Sequence, residues 1–161
     1  MKNKMNKELK IYIKTEMIIA AAFNFFINGM VAALIYHKAD YVPTDVISIA
    51  IDLTATCLFT FIISALFCRA SVRRTKTAGI LETKSRFMRF LSKLFRRPVL
   101  FGAVTGLVAA AVLWIVTAPL FALLGITALP FGVYVALKCV FAALLGSGVT
   151  LLELYSGMCK T

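Results

Sequence analysis

The stretch ISIAIDLTATCLFTFIISALF, residues 47–67, decides the class of fold. It is apolar over ~20 residues, the length at which a helix crosses ~30 Å of hydrocarbon. Its one formal charge is Asp52. Around that charge Ser48, Asp52, Thr56, Thr60 and Ser64 follow one another at steps of four, which stacks them along a single ridge of a helix. A span that is apolar everywhere except along one ridge belongs in a membrane, with the ridge turned toward neighbouring helices.

Working outward, three further runs have the same length and character: 17–36, 99–118 and 131–152. Of the 161 residues, 61% are hydrophobic and only 16% charged, and the mean hydropathy is +0.90, outside the range of a soluble domain. The expected fold is an all-α membrane protein: a single four-span domain, 1–161, folded as a four-transmembrane-helix bundle. A β-barrel would show short alternating segments, and these runs do not alternate. The first span is too long for a signal-peptide core and has no small-x-small cleavage site, so it reads as a retained anchor.

The net charge of +11 could suggest nucleic acid, but its distribution points to topology. Segment 1–16 carries Lys2, Lys4, Lys7, Lys10 and Lys14 against Glu8 and Glu16. Loop 68–98 carries Arg69, Arg73, Arg74, Lys76, Lys84, Arg86, Arg89, Lys93, Arg96 and Arg97 against Glu82 alone. The other two connections are poor in cations. The positive-inside rule therefore places both termini in the cytoplasm of a multi-pass cell-membrane protein, with no nucleic-acid partner. Cys57 and Cys139 fall within spans, Cys68 and Cys159 beside them, and no C-x-x-C or Cys/His spacing implies a disulfide or zinc. His37, Asp40 and Asp45 read as solvated loop polarity rather than a metal site.

Within loop 68–98, Phe87, Phe90, Leu91, Leu94 and Phe95 fall at helical spacing, with Arg86, Arg89, Lys93, Arg96 and Arg97 at the remaining positions. This predicts a cytoplasmic amphipathic interfacial helix whose cations meet anionic lipid headgroups. Pro98 then opens the third span. The uncharged connection 118–130, bounded by Pro119 and Pro130, is expected to stay in the interface as a short cap.

The two halves share a pattern. NGMVAAL at 28–34 matches TGLVAAA at 105–111, and Ala50-Ile51-Asp52 aligns with Ala136-Leu137-Lys138. The alignment reads as two parallel-repeat helical hairpins related by an axis along the membrane normal, against the alternative of coincidence between Ala-rich helices. Gly102-x-x-x-Gly106 and the ridge of Lys138, Ala142, Gly146 and Thr150 mark close helix packing, as do Gly29 and Gly148.

On that alignment Asp52 and Lys138 are equivalent, and both lie roughly 9 to 10 Å below the outer boundary. An unpaired charge deep in a span costs about 2.5 to 3.5 kcal/mol, and opposite charges at one depth relieve it. The expectation is an ion pair supported by Asn24, Asn28 and Thr56; the alternative is a Lys138 that snorkels while Asp52 is bonded to a hydroxyl.

No metallohydrolase, nucleophile-elbow or P-loop motif is present, so the chain does not read as an enzyme and implies no cofactor. The order Phe25-Phe26-Ile27-Asn28-Gly29 followed by Tyr41-Val42-Pro43-Thr44-Asp45-Val46-Ile47-Ser48 resembles small bacterial four-span membrane proteins loosely labelled permease-like, which have no assigned activity. The resemblance covers mainly the first hairpin and implies a bacterial cytoplasmic membrane and transport. Two functions stay open. One is a transporter or channel-like protein, in homo-oligomeric form for a pore, that uses the polar seam. The other is an interaction protein that binds lipid or protein through the basic helix.

Overall fold

The computed structural model describes residues 2–78, 80–82 and 85–160. Lys84 of the basic loop and the side chains of Lys2 and Lys4 lie outside what is described. The element order is α1 Lys2–Tyr36, β1 Tyr41–Pro43, α2 Val46–Arg74, α3 Arg86–Phe95, α4 Pro98–Leu123, β2 Ala128–Pro130 and α5 Phe131–Met158. Four of the helices are long and apolar enough to span a membrane. Many of their large side chains, among them Phe26, Ile51, Phe59, Val108, Ile115 and Leu144, point outward, as they must where lipid replaces water as solvent.

Local chemistry sets the helix ends. Asp45 caps α2, its Oδ1 accepting from the backbone N–H of Ile47 at 3.0 Å and of Ser48 at 3.1 Å. Arg73 and Arg74 occupy the last turn of α2, where cations complement the helix dipole. Pro98 starts α4, and the preceding Arg97 is pushed out of helical geometry (φ −115°, ψ 83°). The helices outrun their apolar stretches: α1 takes in residues 2–16, and α4 continues through Pro119 to Leu123. Residues 2–16 continue the helix because Lys and Glu are good helix formers.

The 118–130 connection does form a cap, but partly as a strand. β2 pairs antiparallel with β1, Val42 opposite Leu129. Thr44 N–H donates to Thr127 O at 2.9 Å, and Phe131 N–H to Asp40 O at 3.0 Å. An uncharged loop at a bilayer surface must satisfy its backbone, and the other loop supplies the partner.

Within each hairpin the two long helices barely touch. Instead α1 packs along α5, α2 along α4, and α2 meets α5 at the centre. Exchanging α1 with α4 and α2 with α5 carries this pattern into itself, and the β1–β2 register likewise. The hairpins therefore interlock rather than lie side by side, and their contact pattern is symmetric under exchange of the two halves.

Small residues occupy these crossings. A Cβ on Gly102 would lie 2.5 Å from Ile62 Cα, and one on Gly106 3.2 Å from Cys57 O, so α4 and α2 touch backbone to backbone there. Gly29 meets Cys139, and Gly146 lies under the Asn24 side chain. Gly148 differs: it is exposed and a Cβ there would meet nothing within 4 Å, because it points away from α1 and α2.

The amphipathic helix α3 is capped by Ser85. Its apolar face divides. Leu91 and Phe95 are buried with Val72, Phe101, Leu154 and Met158, whereas Phe87 and Phe90 are exposed. Half of the face expected at the interface is thus used to dock α3 on the bundle, because α5 extends past the apolar run and offers Leu154 and Met158.

Candidate functional site

The polar ridge of α2 faces inward and is met by polar groups from α1 and α5. Lys138 Nζ forms an ion pair with Asp52 Oδ1. It also donates to Thr56 Oγ1 at 2.6 Å, while the Thr56 hydroxyl donates to Asp52 O at 2.7 Å. Lys138 is only 9% exposed and Asp52 30%, so the lysine turns into the bundle rather than snorkelling. A buried pair of this kind is held by geometry and by its additional hydrogen bond, since desolvation opposes it.

Farther along α2, Thr60 donates to Asn24 Oδ1 at 3.2 Å. Ser64 and Thr150 bond hydroxyl to hydroxyl at 3.1 Å, joining two positions that the repeat alignment makes equivalent. Toward the basic end, Ser71 donates to Glu16 Oε1 at 2.6 Å and Tyr12 OH lies 2.7 Å from Ser71 Oγ.

Not every seam residue plays the part expected of it. Asn24 and Asn28 do not touch the ion pair. Asn24 Nδ2 donates to Ala20 O at 2.9 Å and Asn28 Nδ2 to Asn24 O at 3.1 Å, so each amide is taken up by a carbonyl one turn back on α1. Ser48 donates to Asp45 Oδ2 at 2.6 Å and so serves mainly the α2 cap. Hydrogen bonds from the Ser48 hydroxyl, then from its backbone N–H, hold the Asp45 carboxyl below the usual aspartate value.

Two cavities flank the seam. Near the strand cap, a cavity of about 240 Å³ is lined by Ser48, Asp52, Lys138, Tyr36 and Tyr134. Toward the basic end, one of about 380 Å³ is lined by Glu16, Asn24, Ser64, Cys68, Ser71 and Thr150. Arg86, Arg89, Lys93, Arg96 and Arg97 are all exposed around α3. A third cavity, of about 480 Å³, opens beside that helix and is lined by Arg69, Arg73, Arg96 and Lys160.

Sequence reasoning missed Tyr134 and Glu153. Tyr134 is one turn before Lys138, its ring set edge-on to Tyr36 at 5.2 Å. Glu153 is the one carboxylate in the fourth span, and ending that span at Leu152 left it outside by one residue. The continued amphipathic pattern 149–158 was the signal that could have found it.

A four-helix integral membrane protein with a polar seam is the class these observations define. No family model, curated protein or solved structure matches the chain.

Proposed function

We propose that this protein is a small transporter of the cytoplasmic membrane, and that its polar seam is the route or binding site for a small polar solute. The observation that carries the reading is a succession of three hydrogen-bonded groups, Asp52–Lys138–Thr56, Thr60–Asn24 and Ser64–Thr150, set along α2 between two cavities, one toward each end of the bundle. A packing contact needs one such pair. A ladder along most of a span exceeds that need, and ionisable groups inside a membrane mark pathways by default. The charge distribution supports a topology in which the strand cap is outside and both termini are cytoplasmic. Four helices enclose little volume, so a continuous pore requires a homo-oligomer.

The test is transport by the purified protein in liposomes, recorded as charge movement or tracer uptake across a panel of small zwitterionic, cationic and anionic solutes. For the active class, flux is expected to fall at least about tenfold, a change of ~1.4 kcal/mol, in both Asp52→Asn and Lys138→Met. It should persist when Arg86, Arg89 and Lys93 are changed to Gln. Absence of flux for every class, or flux indifferent to both seam variants, overturns the reading.

One observation favours a second reading. The cation-lined cavity beside α3, together with exposed Phe87 and Phe90, suits a non-transporting protein that holds anionic lipid at its basic end. Loss of copurifying anionic lipid on neutralising Arg86, Arg89 and Lys93, with no flux in the wild type, selects it.

A further inference from the structure

The seam does not end at Ser64 and Thr150. One turn beyond Thr150 on α5, Glu153 is fully buried, at 0% exposure, and neither carboxyl oxygen has a hydrogen-bond partner among the described residues. The groups that face it come from α2: Ser64 and Cys68. From α1, Glu16 approaches the same cysteine. The core at this level is otherwise apolar, with Leu91 and Phe95 from α3 and Phe101 from α4. A carboxylate so enclosed would have neither water nor a cation to balance it, whereas the neutral acid carries no charge to bury.

Glu153 itself lines none of the three cavities, but its neighbours line one. Ser64, Cys68 and Thr150, which surround it, line the 380 Å³ cavity, and the same cavity is bounded by Glu16, Ser71 and Arg74. Glu16 is joined through Ser71 to Tyr12. Polar groups thus line the cavity between the basic end and the residues that face the buried acid, and the pairs Ser64–Thr150 and Thr60–Asn24 lie between it and Asp52 and Lys138. Arg74 and Glu16 are the charged groups in the cavity lining; Cys68 is the titratable group that faces Glu153.

We infer that Glu153 is a proton-binding site of the seam, occupied in the arrangement described and exchanging its proton through the cavity lined by Glu16, Ser64 and Cys68. Binding forms one O–H bond on a carboxylate oxygen and release breaks it; no other bond changes. Its role as the coupling site rests on the transport reading, but the bound proton does not.

Infrared spectroscopy of the full-length protein in lipid bilayers tests this at neutral pH. The wild type should show a protonated-carboxyl C=O band, and labelling glutamate with ¹³C at its side-chain carboxyl should shift that band. The band should remain in Asp52→Asn and in Glu16→Gln and be lost in Glu153→Gln. If Glu153→Gln does not fold, the isotope shift in the wild type together with retention in Glu16→Gln, Glu8→Gln and Glu82→Gln makes the same assignment. Absence of the band, insensitivity to glutamate labelling, or survival of the band in Glu153→Gln overturns the inference. Liposome flux separates the two claims: a normal Glu153 band without flux sinks transport alone, and flux that needs Asp52 and Lys138 without the band sinks the proton site alone.

Discussion

At the scale of the residue, the decisive feature is that the seam from Asp52 to Thr150 is built of polar groups satisfied by one another or by backbone carbonyls, whereas Glu153 one turn beyond is not. Lys138 is the most constrained, because its ammonium is buried and depends on Asp52 and Thr56. Removing one member strands the other. Asp52→Asn and Lys138→Met are each expected to destabilise the protein in detergent by about 3 to 5 kcal/mol, the range for breaking a buried pair. The double variant should recover much of that loss, and a double-mutant cycle of unfolding measures it. Purely additive effects would mean the pair is not an energetic unit. Asp45 makes a different prediction. Its hydrogen bonds from Ser48 lower its folded titration point, so its capping contribution is present above the ordinary aspartate range and disappears as pH falls through that lowered value. The amide resonances of Ile47 and Ser48 should titrate together, with a midpoint below that of an unstructured aspartate.

At the scale of the element, what matters is how closely helices can approach. Sequence spacing identified Gly102, Gly106 and Gly146 as small-residue positions, and each lies at a helix crossing. Spacing alone also offered Gly148, which faces away; a G-x-x-x-G pattern says that backbones can touch but not which face is turned inward. Gly102→Leu is expected to push α4 off α2 and destabilise by about 1 to 3 kcal/mol or more. Gly148→Ala should stay within about 0.5 kcal/mol of the wild type. Thermal unfolding of the two variants side by side checks both; a tolerated Gly102→Leu would mean the α2–α4 approach is not as close as described. The helix α3 teaches the same lesson. Its amphipathic pattern is plain in the sequence, yet the division between Leu91 and Phe95 inside and Phe87 and Phe90 outside depends on where α5 ends.

At the scale of the whole molecule, the hairpins interlock, so each helix buries its inner face against the other half of the chain. It follows that neither half is complete alone. Expressed as separate fragments, 1–78 and 85–161 should copurify as a folded complex when made together, and either one alone should be degraded or aggregated; stable isolated hairpins would contradict the arrangement. The sequence by itself determined the four spans, the all-α bundle, the basic segments and the ladder of Ser48, Asp52, Thr56, Thr60 and Ser64, because hydropathy, charge and helical period are local properties of a chain. It also held the clue of equivalence between Asp52 and Lys138. Only the tertiary structure decided that α1 seeks α5 and α2 seeks α4, that Asn24 serves Thr60 instead of the ion pair, that the outer loops join as strands, and that Glu153 is enclosed. Those facts depend on which faces meet between segments far apart in the chain, Thr60 and Asn24 by 36 residues and Ser64 and Thr150 by 86, and such pairings are set by complementary packing that no local window contains.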